Sequence, residues 1–325
     1  MKVIVTGVAG FIGMHAARFL LGQGHQVVGI DNLSPYYSVT LKRDRLARLD
    51  GTGFSFAAAD VSDRQAMFEV FDRHRDASHV LHLAAQAGVR HSLTDPYAYV
   101  TSNVMGQLVV LEAARRLPEL ERVVYASTSS VYGAIKETPF SVRQCTTKPV
   151  SIYAATKMSN ELMARVYADT YRLPSIGLRF FTVYGPWGRP DMATWLFTDA
   201  ILAGRPVQVF NNGAMRRDFT YIDDIVAGVT AALNAPLVPD ADGLPHRIYN
   251  LGNHRSEALL DFIAVLENAL GRKAELKMAP MQPGDVAATY ADITESRADL
   301  GFEPKTTIQD GIPQFVAWYR AYHGM

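Results

Sequence analysis

The sequence predicts an α/β protein, with a doubly wound parallel sheet in the first part of the chain and a smaller α/β lobe after it. Three observations predict it. Short β-branched runs alternate with helical stretches up to about residue 180; a glycine-spaced turn joins the first run to the first helix; beyond 180 the strands shorten and Pro and Gly increase. Strand, helix, strand in repetition implies parallel strands covered on both faces, because each crossover lays its helix on the sheet.

KVIVTG (2–7) is the first strand, and FIGMHAARFLLGQG (11–24) has helical periodicity ending at glycine. QVVGID (26–31) is the second strand and LKRDRLARL (41–49) a charged helix. FSFAAAD (54–60), SHVLHLA (78–84), RVVYAS (122–127) and SIGLRFF (175–181) are further strands, with helices near 63–75, 97–117 and 151–172 between them. Helices near 193–204, 222–234, 256–270 and 308–322 belong to the second part. The expected division is a first domain at 1–180 and a lobe at 181–325, some of whose segments cross back. The lobe is expected over the carboxyl ends of the strands, where such folds bind ligands.

Basic and acidic residues number 32 each, a balance that argues against nucleic acid or an anionic membrane as partner. No apolar run approaches the roughly 20 residues of a membrane span. MKVIVTG runs straight into a strand without a leader pattern, and Cys145 is the only cysteine, so a reducing, cytoplasmic setting is expected. The nine histidines lack metal-site spacing, and no metal is expected; His79 and His82, on a buried-looking strand, read as packing residues.

TGVAGFIG places Gly7, Gly10 and Gly13 three residues apart between a strand and a helix. Glycines let a backbone approach a pyrophosphate, and the helix N-terminus offers free N–H groups and a partial positive charge. The second strand ends in Asp31, a carboxylate placed to accept from a ribose diol and to repel a 2′-phosphate. A Rossmann-type site for NAD rather than NADP follows. Lys42 and Arg43 argue for a phosphate, but their charged helix reads as a solvated face.

Tyr153 and Lys157 of SIYAATK lie one helical turn apart on one face. A tyrosine acting as a base near pH 7 needs its pKa lowered by about three units, roughly 4 kcal/mol. One cation at about 4–6 Å supplies a few kcal/mol at an effective dielectric near 20. YASTSSVYG (125–133) ends the preceding strand and brings hydroxyls to the same edge. FFTVYGPWGRPDM (180–192) is too rich in Gly and Pro for helix or strand, so it is a built loop that holds Arg189 between Gly188 and Pro190.

TGVAGFIG, Asp31, LAAQAGVRHS, STSSVYG and YAATK, in this order, resemble the extended short-chain dehydrogenase/reductase family over essentially the whole chain. Within it, IDNLSPYYSVTLKRDRL (30–46) and RFFTVYGPWGRPDMA (179–193) are most similar to the NAD-dependent UDP-glucuronate 4-epimerases. The resemblance implies Tyr153 as catalytic base and acid, Lys157 as the partner lowering its pKa and contacting the nicotinamide ribose, and Thr128 on the sugar O4. It implies Gly7, Gly10, Phe11, Ile12 and Gly13 at the pyrophosphate, Asp31 and Asn32 at the adenosine ribose, and Asp60 with Val61 at the adenine. Leu83, Ala84 and Ala85 would line the dinucleotide. For a UDP-hexuronate it implies Arg217 at the diphosphate, Asp285 at the uridine ribose and Arg90 among the substrate contacts. Hexose epimerases usually carry a second arginine before the Gly-Asp of the segment here reading QPGD, where this chain has Gln282. Helices 97–117 and 151–172 match those that pair in the family's four-helix interface, so a homodimer is expected.

The implied reaction is reversible 4-epimerisation of UDP-glucuronate to UDP-galacturonate through a transient 4-ketone with bound NAD. Related dehydratases and decarboxylases carry a carboxylate where this chain has Ser129 or Ser130, and a hydroxyl without an activator is no base for their C5 chemistry. Arg189 is expected to grip the uronate carboxylate, with Thr182, Ser129 and Ser130 on its remaining lone pairs, and so to hinder decarboxylation of the β-keto acid. The alternatives are a neutral UDP-glucose/galactose-type 4-epimerase, a UDP-glucuronate decarboxylase, and a non-catalytic NAD-binding regulatory protein.

Overall fold

The computed structural model describes residues 1–49, 51–282 and 285–325. Six strands of the first part are β1 (Lys2–Thr6), β2 (Gln26–Asp31), β3 (Phe54–Ala58), β4 (His79–His82), β5 (Arg122–Thr128) and β6 (Ser175–Phe180). The later strands are β7 (Thr182–Tyr184), β8 (Val207–Val209), β9 (Arg216–Arg217), β10 (Phe219–Tyr221), β11 (His246–Leu251), β12 (Glu257–Ala258) and β13 (Leu276–Met278). The main sheet runs β11-β6-β5-β4-β1-β2-β3, every pair parallel. The chain order therefore reverses between β1 and β4, where their loops part and leave a crevice at the carboxyl edge. Val3, Ile4 and Val5 are fully buried, which is why β1 reads as an unbroken apolar run rather than an alternation.

The helices are α1 (Phe11–Gly22), α2 (Val39–Leu46), α3 (Arg64–Arg73), α4 (Pro96–Tyr99), α5 (Gly106–Ala114), α6 (Ile152–Tyr171), α7 (Ala193–Leu202), α8 (Ile222–Asn234), α9 (Leu259–Leu270), α10 (Thr294–Leu300) and α11 (Ile308–His323). One core joins the sheet to α1, α8, α9 and α11; the other lies beneath α3, α5 and α6. Each apolar side chain fully buried there contributes about 1.5–3 kcal/mol. Helix α6 starts where the Ser151 hydroxyl accepts from the Ala154 N–H at 3.1 Å, fixing the turn that carries Tyr153.

Four sequence expectations change. The stretch 180–192, expected to be loop throughout, opens with β7, which pairs in parallel with β10 before the Gly/Pro run begins. The helix near 97–117 is interrupted: α4 and α5 are separated by a π-helical segment, Val100–Met105. Asn160 Nδ2 donates to the Asn103 carbonyl at 2.7 Å, and the Asn103 side chain turns inward to hold Gln86 N and O and the Thr156 hydroxyl. Such insertions into the backbone ladder widen a helical turn. The seventh strand, HRIYNL (246–251), escaped the sequence reading because Arg247 and Asn250 break its apolar run. Asn250 is fully buried but donates to the Phe140 and Asp292 carbonyls and accepts from the Tyr132 hydroxyl. Finally, α2 is not a solvated face. Arg43 is exposed, but Leu41, Lys42 and Arg45 are buried.

Candidate active site

A cavity of about 1090 Å³ is lined at one end by the glycine turn, at the carboxyl edge of the sheet, and at the other by residues of the second lobe. At its first end the backbone of Gly7 has φ +72°, and a Cβ there would stand 2.7 Å from the Ala84 nitrogen. A Cβ on Gly13 would stand 2.1 Å from the Gly7 carbonyl oxygen. The turn is thus packed against the Leu83–Ala85 loop in a conformation only glycine takes cheaply. Gly10 precedes α1 with no side chain capping the helix, which leaves its first N–H groups aimed into the groove.

Asp31 closes this end. Its carboxylate accepts from Ala9 N at 3.1 Å and Leu33 N at 2.8 Å. Burial pushes its pKa up, and those bonds and the Lys42 charge act against it. Phe11, Ile12, Asn32 and Val61 line the groove as expected. Asp60 does not join that lining: its carboxylate is engaged by Ser62 N and Oγ and by Asn32 Nδ2 (2.8, 2.7 and 2.7 Å), so it braces Asn32 from behind. Lys42, expected on a solvated face, instead lines the groove, with its ammonium on the Ser34 carbonyl at 2.8 Å and 4.6 Å from the Tyr37 ring centre.

Tyr153, Lys157 and Thr128 all line the cavity. Burial pushes the Tyr153 phenol up; the Arg189 charge and a hydrogen bond with Thr128 act against that. The sequence reading assigned the lowering cation to Lys157. Arg189 is a further cation whose charge reaches the phenol, and the Lys157 ammonium donates to the Ala126 carbonyl of β5 at 2.9 Å. Burial brings Lys157 down to about 8, opposed by the Glu161 charge one turn further along α6. His82, on the strand beside it, is buried, shares a 2.7 Å hydrogen bond with Thr6 Oγ1, and is held near 3 by burial and by the Lys157 charge.

Ser129, Ser130, Thr182 and Arg189 line the same cavity. Arg189 is not free: Nε and Nη2 bind the two oxygens of Asp191 at 3.0 and 2.5 Å, and the Tyr36 hydroxyl donates to Asp191 at 3.1 Å. Burial alone would push Asp191 up, but Arg189 and Tyr36 hold it below the usual carboxylate range, so it is a poor base. Neither Asp191 nor Tyr36 was foreseen, although both lie inside the two segments on which the sequence resemblance rests.

At the second lobe's end, Arg90 donates to Asp285 at 2.9 Å across the mouth and lies 4.5 Å from the Phe210 ring centre. Arg217 stands beside them. Burial lowers its pKa, Asp285 raises it and Arg90 lowers it further, and its Nη1 donates to the Arg216 and Ala287 carbonyls at 2.8 and 3.2 Å. Arg90 brings a second arginine to the end where Gln282 replaces the one expected from hexose epimerases. Pro283 and Gly284 of QPGD lie outside the described residues.

The chain matches the model of the NAD dependent epimerase/dehydratase family over residues 3–252. It is 44% identical to a probable UDP-glucuronate 4-epimerase of Rhizobium meliloti, covering 98% of this chain and 97% of that one. The structure is similar to the UDP-glucuronic acid 4-epimerase of Bacillus cereus in complex with UDP-glucuronic acid and NAD, with a TM-score of 0.91, 34% identity and coverage of 99% and 100% of the two chains. It is also similar to the UDP-glucose 4-epimerase of Thermotoga maritima with UDP-glucose, at a TM-score of 0.89, 30% identity and coverage of 99% and 100%. The chain belongs to the NAD dependent epimerase/dehydratase family.

Proposed function

We propose, with membership of that family as the premise, that this protein is an NAD-dependent UDP-glucuronate 4-epimerase, interconverting UDP-glucuronate and UDP-galacturonate. One observation carries the reading: Tyr153 shares a cavity wall with Arg189 and with hydroxyls, not carboxylates, at Thr128, Ser129 and Ser130.

The groove fits NAD. The Gly7–Gly13 turn is a cradle that side chains would fill, the start of α1 offers unpaired N–H groups, and Asp31 favours a free ribose diol. Bound there, NAD supplies a reversible hydride acceptor for C4 of the sugar. Tyr153 takes the proton of the 4-hydroxyl and returns it after the keto-sugar has turned its other face. Thr128 orients the O4 and the phenol together. Lys157, partly protonated near pH 8, holds positive charge beneath this centre. Arg217, with Arg90 and Asp285, receives the UDP portion. Arg189, Thr182, Ser129 and Ser130 receive the C6 carboxylate and hold it out of alignment for loss of carbon dioxide. In this scheme residues 1–180 hold the cofactor and also lend Arg90, Thr128, Ser129 and Ser130 to the nucleotide sugar, which 181–325 otherwise receives.

The Arg189–Asp191 pair also favours a second reading, a neutral UDP-hexose 4-epimerase, because the guanidinium already has a carboxylate. Incubation with UDP-glucuronate and with UDP-glucose in parallel, followed by NMR, separates them. Formation of the galacturonate epimer from the first, faster than galactose from the second, is expected. Conversion of the neutral sugar alone overturns the uronate reading.

A homodimer fits the apolar side chains exposed on α4, α5 and α6: Tyr97 is 83% exposed, Leu162 64% and Val166 58%. Leu162→Glu with Val166→Glu should give a monomer in sedimentation; an unchanged sedimentation coefficient would exclude this face. A cytoplasmic setting fits the single cysteine, Cys145, which is free and exposed. Among the described residues no helix is long and apolar enough to cross a membrane.

A further inference from the structure

Arg45 of α2 has no part in the chemistry above, yet it is fully buried and has no carboxylate within ion-pair distance among the described residues. Its guanidinium is spent on neutral oxygens. Nε and Nη2 donate to the Trp187 carbonyl at 3.1 and 2.7 Å, and Nη2 also donates to the Gly188 carbonyl at 2.9 Å. Nη1 donates to the Ala9 carbonyl at 3.2 Å and to the Tyr37 hydroxyl at 2.7 Å. Burying a charge against dipoles alone is costly, and apolar residues usually fill such a position at least as well. The planar fork is therefore there for its geometry, which a lysine cannot reproduce.

The carbonyls it gathers come from two loops. Ala9 lies between Gly7 and Gly10, and its N–H is held by Asp31, so the peptides on both sides of that residue are pinned. Trp187 and Gly188 immediately precede Arg189. Trp187 adopts φ +63°, a left-handed conformation unfavourable for a bulky residue, which persists only where its surroundings over-determine it. Its ring packs against the stacked pair Trp318 and Tyr322, with centroids 5.3 and 5.2 Å away, and its carbonyl is locked by Arg45. We infer that Arg45 is a positioning residue that ties the cofactor-binding glycine turn to the loop carrying Arg189, so that the guanidinium facing the sugar keeps a fixed place relative to the dinucleotide. The identity of the two ligands rests on the function proposed above.

The test uses the full chain loaded with NAD, carrying Arg45→Lys or Arg45→Met, and measures calorimetric binding of UDP-glucuronate and UDP-glucose. The dissociation constant for UDP-glucuronate should rise about tenfold in both variants while that for UDP-glucose changes less than about twofold. A purely structural role would lower the melting temperature and the active fraction but leave the ratio of the two constants untouched; that result overturns the inference. If neither variant folds, Tyr37→Phe decides, since it removes one guanidinium partner: a ratio lowered by about threefold supports the tie and an unchanged ratio overturns it. A parent protein with no preference for UDP-glucuronate would instead overturn the substrate reading. The tie is then read from NAD release, which bound nucleotide sugar should slow in the parent but not in Arg45→Met; equal slowing in both overturns it.

Discussion

Arg189 and Asp191 form a two-point ion pair, Nε to Oδ1 at 3.0 Å and Nη2 to Oδ2 at 2.5 Å, on the wall of the cavity that holds Tyr153. A substrate carboxylate arriving there meets a guanidinium whose charge is already partly balanced. The pair keeps a buried cation compensated between turnovers, and it weakens the field that Arg189 exerts on Tyr153.

Asp191→Asn should therefore bind UDP-glucuronate about three- to tenfold more tightly, because the competing anion is gone while an amide still holds the guanidinium. The unshielded cation lowers the Tyr153 phenol, so the acid limb of the pH–rate profile should move to lower pH. Calorimetry and a pH–rate series check both; weaker binding with an unmoved profile would mean that Asp191 serves only to aim Arg189.

Arg189→Ala should uncouple the reaction. With the C6 carboxylate no longer held, the 4-ketone loses carbon dioxide, and a 4-keto-pentose accumulates with the cofactor left reduced. NMR and cofactor absorbance read this directly. Clean epimerisation by the variant would remove Arg189 from the site.

Lys157 makes a prediction of opposite sign for activity and stability. Its folded pKa of about 8 lies below the ordinary lysine value of 10.5. Between those values the unfolded chain holds a proton that the folded chain has lost, so stability from this site rises with pH across that window. Below about 8 the folded protein bears the whole cost of a buried ammonium. Lys157→Met should be about 1–3 kcal/mol more stable than the parent at pH 7, compared at matched NAD occupancy, and the gap should narrow towards pH 10. Its turnover should fall at least about a hundredfold. A less stable variant at pH 7 would show that the bond to the Ala126 carbonyl outweighs desolvation.

Glu161 supports the centre from beneath. Its carboxylate is buried and accepts from Arg179 at 2.9 and 2.7 Å and from Ser127, next to Thr128, at 2.5 Å. Glu161→Gln leaves the Arg179 charge uncompensated and should cost about 3–5 kcal/mol in urea unfolding. Replacing both partners, Glu161→Gln with Arg179→Met, should recover most of that loss; no recovery would mean that the bond to Ser127, not the ion pair, is what matters.

Several assignments in the sequence depend on residues close together in the chain. The β1 turn and α1 follow from glycine spacing after an apolar run, and the Tyr153–Lys157 face follows from helical period; the structure has both. The helix at 97–117 follows from the same kind of period, yet Asn160 of another helix captures the Asn103 carbonyl and opens a π turn. The charged composition of α2 suggested solvent. Lys42 and Arg45 are nevertheless buried, because the Ser34, Ala9, Trp187 and Gly188 carbonyls satisfy them.

By itself the sequence determined the alternating α/β plan, the glycine cradle with its closing Asp31, the tyrosine–lysine turn and the arginine loop, all written within short windows by period, spacing and backbone constraint. Only the tertiary structure decided that Tyr36 meets Asp191 across 155 residues, that the Arg189 charge reaches Tyr153, that Arg45 reaches a carbonyl 142 residues away, and that Arg90 meets Asp285 across 195. A charged side chain takes whichever oxygen the packed helices and loops bring within about 3 Å, and no local pattern encodes that approach.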